Sequence, residues 1–455
     1  MEKNADFLAK LPFKKGWVHC VGVGGIGVSA LAQLLLEGNY KVSGSDLEAN
    51  SNTRAVTNVG GVVGVGHDRK NLPPEPCTGA IISAAVDLKN VEVAELLRQG
   101  VLTLRRGEFL GELCGCYRRP VLVAGSHGKS SISAMLGWIL RKSGVDAGLL
   151  VGAHYNDHNF PYAKLGDGDI LIAEADESDG TIALLKGYLA VINNIDGDHA
   201  WNREQKTEQE MCFRRYAAAA DLTMYVDSAD TRRVLGDLPN CRALEAGYLQ
   251  QLSSMAPERF AGYERSNAAV AMIAAEYLGI AFDQSAALLQ DYPGIERRQC
   301  ETYRAPDDRI IVLEDYAHHP TELAASLELL RERYAKYQLV VVFQPHRYQR
   351  LQFYFDDFVR ILSAKDLQVK VVPVFSAWSP VLIDGMDHTD LVRAINAAGG
   401  NAEVYDKDYN LMAADLAETA QNSAGAVLIA LIGAGDVNLL SSQLSDIFTN
   451  RRQGG

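Results

Sequence analysis

The 455-residue chain has no surplus of positive charge: Lys and Arg number 44 against 57 Asp and Glu, a net charge of −13. A nucleic-acid binder needs a basic face to neutralise phosphates, so that class is excluded as a reading, whereas nucleotide binding needs only a few backbone amides and one lysine. No run reaches the ~18 apolar residues of a membrane helix, and the first sixteen residues lack the apolar core of a signal peptide. Cysteine is sparse, seven in all, odd in number and without a CxxC pair. That pattern excludes a disulfide scaffold and argues against a zinc site, Cys114-Gly-Cys116 included; it reads as reduced thiols in a cytoplasmic protein. No internal repeat or low-complexity tract occurs. With 47% hydrophobic and 22% charged residues, the chain is an ordinary globular one with length for about three domains.

What is present is alternation. Short β-like runs (Trp17–Gly22, Tyr40–Ser45, Val62–Val65, Ala80–Ser83) alternate with helical patterns such as Ile26–Leu36, the mark of parallel α/β layers. The stretch CGCYRRP, Cys114 to Pro120, interrupts the series as a loop. A second block starts at Val121–Ala124, includes strands Ile170–Ala173 and Leu189–Ile192 and an Ala-rich helix Ser266–Tyr277, and ends near the turn signal Asp291–Gly294. A third carries strands Ile310–Leu313, Leu339–Phe343, Val369–Val374 and Val427–Ile432. The expected domains are residues 1–116, 117–296 and 297–455, with hinges near Arg118–Pro120 and Pro293–Arg297.

Two glycine loops carry the first chemistry. Gly22-Val-Gly24-Gly25-Ile-Gly27 lies between a strand and a helix, with Asp46 ending the next strand. Such glycines let a pyrophosphate sit on the helix N-terminus, and an acid about 20 residues on can take ribose hydroxyls. The motif alone allows NAD, FAD or a UDP-sugar, or a turn that serves only packing. Gly125-Ser126-His127-Gly128-Lys129-Ser130-Ser131 follows a strand and opens an apolar helix. Its amides would cradle phosphates, Lys129 would reach the β/γ oxygens and Ser130 would ligate Mg²⁺. The usual spacing would place glycine at Val123, so the loop is a shortened variant; an incidental Gly-Lys-Ser turn is the plainer alternative.

Charged clusters follow strands. Glu174-Ala-Asp176-Glu177-Ser178-Asp179 offers carboxylates where Mg²⁺ is held beside a phosphate loop, though some are solvated loop charges. Asn193-Asn194-Ile-Asp196-Gly-Asp198-His199 surrounds a histidine with acids and amides. In the last block lie Asp315-Tyr316-Ala317-His318-His319-Pro320 and Gln344-Pro-His346-Arg347-Tyr-Gln-Arg350. The paired histidines read as hydrogen-bonding groups rather than zinc ligands. Arg347 and Arg350 could clamp a carboxylate or phosphate, or form no more than a solvated face, as could Arg297 and Arg298.

Taken in order, HCVGVGGIGVSALAQLLL, VSGSD, AGSHGKSS, AEADESDG, NNIDGDH, DYAHHPTE and QPHRYQR resemble the Mur ligase family of ATP-dependent amide-forming enzymes over nearly the whole chain. The resemblance implies three α/β domains: a Rossmann-like domain for a UDP-sugar, a central P-loop ATPase domain, and a Rossmann-like domain for the amino acid. It assigns Gly22, Gly24, Gly25, Gly27, Asp46, His67, Ser83 and Arg106 to UDP-muramic acid. It assigns the phosphate loop, Asn267 and Arg298 to ATP, and Ser130, Glu174 and His199 to two Mg²⁺ ions. Tyr316, His346, Arg347 and Arg350 map onto the amino-acid region, with Lys129, His199, Glu174, Arg347 and His346 carrying the chemistry. QPHRYQR is more similar to alanine-adding members than to those that recycle whole peptides. The reaction so implied joins L-alanine to the lactyl carboxylate of UDP-N-acetylmuramate through an acyl phosphate; addition of a peptide or of another amino acid is the alternative. Its partners are small molecules, neither nucleic acid nor membrane, for a monomer or homodimer. The chain departs from the family at Ser130 (commonly Thr), at Glu264 (commonly a second Asn), at Ala317 (commonly Gly), and in a short stretch between His199 and Asn267.

Overall fold

The computed structural model describes residues 5–177, 180–197, 203–376, 386–406 and 408–453. Apolar runs rich in Val, Ile and Leu pair side by side because burial on both faces suits parallel strands. Three sheets result. The first joins β1 (Trp17–Val21), β2 (Lys41–Asp46), β3 (Val62–Val65), β4 (Cys77–Ile82) and β5 (Thr103–Arg105) in the order β3-β2-β1-β4-β5, every pair parallel. Helices α1 (Ile26–Glu37), α2 (Ser51–Asn58), α3 (Val91–Arg98) and α4 (Arg106–Cys114) belong to it. The chain reverses its direction of travel at β1, and the loop after β1 is the glycine loop, where open α/β sheets bind ligands.

The second sheet joins β6 (Arg119–Ala124), β7 (Gly148–Leu150), β8 (Ala163–Lys164), β9 (Ile170–Glu174), β10 (Leu189–Ile192), β11 (Leu222–Val226) and β12 (Cys241–Leu244) in the order β12-β11-β10-β6-β9-β7-β8. Its central strand β6 runs into α5 (Lys129–Lys142) through the phosphate loop. The third joins β13 (Cys300–Arg304), β14 (Ile310–Asp315), β15 (Tyr337–Phe343), β16 (Leu367–Val371), β17 (Ala402–Val404) and β18 (Ala426–Ile432) in the order β13-β14-β18-β15-β16-β17. Among the described residues two pairs are antiparallel, β7 with β8 and β13 with β14, both at a sheet edge where no crossover helix is required. The expected loop at Cys114–Pro120 is shorter than read: Cys114 ends α4 and Arg119 starts β6.

The chain forms two compact units, Met1–Phe260 with Glu264–Gly294, and Ala261–Tyr263 with Ile295–Gly455. The first unit contains both the first and second sheets, and they are tied to each other. Glu37 of α1 accepts from the Leu165 amide (2.9 Å) and pairs with Lys164; the Tyr162 hydroxyl meets Ser29 (3.2 Å), and His154 meets Asn52 (2.9 Å). The core of the second unit lies on both faces of its sheet, with Leu323, Leu327, Phe343 and Phe358 on one side and Met412, Leu416, Leu440 and Leu444 on the other. Among the described residues no helix is long and apolar enough to cross a membrane. All seven cysteines are free, and burial pushes the Cys20 and Cys114 thiols up to about 12, which keeps them inert.

Candidate active site

Strand β6 pairs with β9 on one side and β10 on the other, with Val123 opposite Glu174 and Ala124 opposite Ile192. That register sets the acidic loop and the asparagine loop on either flank of the phosphate loop. Gly125 (φ +137°) and Gly128 (φ +82°) adopt backbone angles that L side chains rarely accept. At Gly128 a Cβ would also come within 2.6 Å of Asn193 Nδ2 and 2.9 Å of Asn267 Oδ1. The loop is laced to the asparagine side. His127 N donates to Asn194 Oδ1 (2.8 Å), both asparagine amides donate to His127 O (3.0 and 3.1 Å), and Asp196 N donates to Ser126 Oγ (3.2 Å). The His127 ring contacts the Asp196 carboxylate.

On the other flank Lys129 is held by an acid. Its ammonium donates to Gly125 O (2.8 Å) and lies 2.9 Å from Glu177 Oε2, with side chains only 15% and 1% exposed. Burial alone would lower the Lys129 pKa, but Glu177, Asp176 and Glu174 override it and raise it. Burial pushes the Glu177 carboxyl up to about 7 against the pull of Lys129. The two shifts argue oppositely about the ion pair; the short contact and the backbone carbonyls on the ammonium decide for a charged lysine. Glu174, at the end of β9, accepts from Gly152 N (3.1 Å). A hydroxyl on Ser130 and a carboxylate on Glu174 are hard oxygen donors of the kind Mg²⁺ takes, so the residues present fit that ion. Ser178, Asp179, Asp198 and His199 lie outside the described residues.

The first sheet's loop has the expected strand–turn–helix form. Gly22 (φ +80°) donates to Ser45 O (2.9 Å), and Gly24 N donates to Asp46 Oδ2 (2.7 Å). Asp46 therefore braces the loop. Arg106 opens α4; a Cβ on Gly27 would stand 2.8 Å from its Cδ, and its guanidinium bonds Asp176 Oδ2 (3.2 Å). Asp176 and Glu177, adjacent in sequence, thus bond one to Arg106 and the other to Lys129. His67 lies on the loop after β3 with Nδ1 2.9 Å from Ser45 Oγ. Ser83 follows β4, where its carbonyl accepts from Arg105 (3.0 Å).

In the second unit the expected residues gather at the carboxyl ends of β14 and β15. The rings of Tyr316 and His318 lie 5.4 Å apart, those of His318 and His346 5.4 Å apart, and His346 stacks on Phe375 at 5.8 Å. Arg347 (φ +68°) starts the helix Tyr348–Phe353 in a conformation rare for a side-chain-bearing residue, which marks a constrained site. Arg350 is 1% exposed and turns its guanidinium to His346 Nδ1 (3.1 Å), so it holds that ring rather than forming an open face. Arg298 lies against the Tyr316 ring (5.1 Å) and 3.6 Å from Glu322. Nothing in the residue pattern singles out Glu177, one acid among four, as the partner of Lys129, or points to the Gln344–Asp436–Tyr409 chain (2.7 and 2.6 Å). A buried polar residue following an apolar strand was the only signal for either.

The family model described as "Mur ligase family, catalytic domain" matches residues 17–118, and that described as "Mur ligase, glutamate ligase domain" matches residues 299–436. The UDP-N-acetylmuramate–L-alanine ligase of Desulfotalea psychrophila is 32% identical over 92% of this chain and 95% of its own length; that of Methylococcus capsulatus is 33% identical over 94% and 96%. Among solved structures, the UDP-N-acetylmuramate–alanine ligase of Thermotoga maritima superposes with a TM-score of 0.75 at 20% identity, covering 96% of this chain and 99% of that one. The murein peptide ligase of Psychrobacter arcticus gives 0.66 at 19%, covering 95% and 99%. Identity above 30% across nine-tenths of the chain, with the three-sheet architecture, leads to one conclusion: this chain belongs to the Mur ligase family.

Proposed function

We propose that the protein joins L-alanine to the lactyl carboxylate of UDP-N-acetylmuramate with hydrolysis of ATP to ADP and phosphate, in peptidoglycan precursor synthesis. The observation that carries the reading furthest is the pair of adjacent acids in the first unit, Asp176 on Arg106 and Glu177 on Lys129. It ties Arg106, assigned to the sugar nucleotide on this reading, and Lys129, assigned to phosphate, to one short segment. Names of relatives at 32% and 33% identity support the substrate, and a structural neighbour, the MurF ligase of Thermotoga maritima, was solved with ADP. The domains are taken as 1–116, 117–296 and 297–455, and the site of action as the cytoplasm.

A carboxylate resists attack by an amine until one oxygen becomes a leaving group. The lactyl carboxylate oxygen attacks the γ-phosphorus, ADP departs, and an acyl phosphate results. The amino nitrogen of alanine then attacks the acyl carbon, loses a proton, and expels phosphate. The loop amides of Gly125–Ser131 and the Lys129 ammonium offset the negative charge of the transferring phosphoryl group. Asn267, whose Oδ1 would stand 2.9 Å from a Cβ on Gly128, is read as a nucleotide contact on this account, and Arg298 is assigned to ATP by the family resemblance. Ser130, Glu174 and His199 would hold two Mg²⁺ ions, which supply charge neutralisation. Gly22–Gly27 and Asp46, His67, Ser83 and Arg106 bind the UDP-sugar; Tyr316, His346, Arg347 and Arg350 orient the amino acid.

Phosphate release from ATP is the test, with UDP-N-acetylmuramate and with or without L-alanine, L-serine, glycine or a tripeptide. Release that requires both UDP-N-acetylmuramate and L-alanine is expected. Release with the tripeptide alone would move the protein to the peptide-recycling branch.

A further inference from the structure

The first sheet hides a carboxylate just behind its ligand-facing edge. Glu92 is the second residue of α3, fully buried, at a helix start where the backbone favours negative charge. Its oxygens are reached from three other segments. His19 of β1 approaches at 3.2 Å, the Ser45 hydroxyl of β2 donates to it, and the loop after β3 supplies the Asp68 amide (2.9 Å) and Asn71 Nδ2 (2.7 Å). The same Asn71 amide donates to Gly66 O (2.7 Å), and Gly66 N donates to Asp46 O (2.7 Å). His67, within this pinned segment, has Nδ1 2.9 Å from Ser45 Oγ and 3.7 Å from Glu92 Oε2. Burial alone would raise the Glu92 carboxyl, but these hydrogen bonds hold it down at about 2, so it stays charged.

A buried charge is costly unless fully satisfied, and a core of this size can be closed with apolar residues. What most of the partners have in common is that they fix residues 66–71 and Ser45, and therefore the His67 ring, next to the Gly24–Asp46 bond of the glycine loop. We infer that Glu92 is a positioning residue of the sugar-nucleotide site: through Ser45 and the 66–71 loop it presents His67 to a nucleoside-diphosphate sugar held over Gly22–Gly27. The inference rests on the sugar-nucleotide reading of that loop. Glu92 itself, with no exposed surface, never touches the ligand.

The experiment uses the full chain and the variants Glu92→Gln, His67→Ala and the double variant. It measures KM for UDP-N-acetylmuramate and for ATP, kcat, and UDP-N-acetylmuramate affinity by calorimetry without ATP. Glu92→Gln should weaken UDP-N-acetylmuramate about tenfold in KM and Kd, with ATP KM moving less than about twofold. Added to His67→Ala it should change little, because it acts through that ring. If Glu92→Gln does not fold, Asn71→Ala, which frees one anchor of the same loop, should show the same split at a smaller fold-change. Parallel rises in both KM values, or effects that multiply in the double variant, overturn the inference while leaving the site's reading in place. Failure of the wild-type chain to bind UDP-N-acetylmuramate overturns the reading and the inference with it.

Discussion

Replacing Lys129 by Met separates what that side chain does for folding from what it does for phosphate. The substitution keeps the length of the chain and removes the charge. Glu177, 1% exposed and 2.9 Å away, then loses its ionic partner in the interior. Breaking a buried pair costs about 3–5 kcal/mol, toward the lower end here because the lysine side chain retains 15% exposure. For a unit of this size that lowers the melting temperature by about 10 °C. The stranded Glu177 carboxyl, already raised by burial, rises further without the lysine. A raised acid contributes stability below its unfolded pKa and loses it as pH climbs through its folded one; the wild-type carboxyl stops losing it near pH 7 and the variant's does not, so the variant's deficit against wild type grows as pH rises above about 7. Replacing both partners, Lys129→Met with Glu177→Met, should restore most of the lost stability, since an apolar pair of similar volume fits where two charges did. Turnover behaves otherwise. With the ammonium gone, phosphate release should fall at least a thousandfold, about 4 kcal/mol of transition-state stabilisation, in the single and the double variant alike. UDP-N-acetylmuramate binding, assigned to the first sheet by the proposed function, should be unchanged. Melting curves and a coupled phosphate assay on the three proteins decide it. Turnover above a tenth of wild type in either variant refutes the role given to Lys129.

Gly128→Ala forces a Cβ at φ +82° to within 2.6 Å of Asn193 Nδ2; it should raise the KM for ATP by tenfold or more and cost about 1–3 kcal/mol, read by steady-state kinetics and melting. Gly107→Ala places a methyl 1.7 Å from Thr181 Oγ1; it should lower the melting temperature, and Thr181→Gly added to it should recover most of the loss. Arg350→Lys shortens the side chain and draws the buried cation back from His346, whose Nδ1 and carbonyl both meet one guanidinium nitrogen; it should raise the KM for the amino acid and leave that for UDP-N-acetylmuramate alone. Glu92, held at about 2 when folded against about 4.3 unfolded, contributes roughly 3 kcal/mol present above pH 5 and lost as pH falls toward 2. Acid titrations of Glu92→Gln should therefore show a shallower loss over that window than wild type.

Both glycine loops were legible because their signal is local. A β-run, glycines at fixed spacing and an apolar helix follow each other within twenty residues, and the backbone angles at Gly22, Gly125 and Gly128 are ones only glycine adopts freely. The third block's cluster was legible for the same reason, since Tyr316, His346 and Arg347 each follow directly on an apolar strand. Arg350 is an intermediate case: its spacing fits an exposed helical face, yet packing turned it inward onto His346. The antiparallel edges at β8 and β13 escaped notice because alternation of strand and helix speaks for the sheet's middle and says nothing of its rim.

Sequence alone thus determined the kind of elements, the positions of the phosphate-ready turns and the family they resemble, because propensity, glycine geometry and strand-end placement act over a few residues. Tertiary structure decided the partners. Glu177 rather than a neighbouring acid holds Lys129 because β9 lies directly against β6, and Glu92 reaches His19, 73 residues away, because α3 starts beneath the carboxyl ends of β1 and β2. No periodicity encodes such pairs: a buried charge takes the partner that the sheet order brings within 3 Å, and the order emerges only when the strands pack.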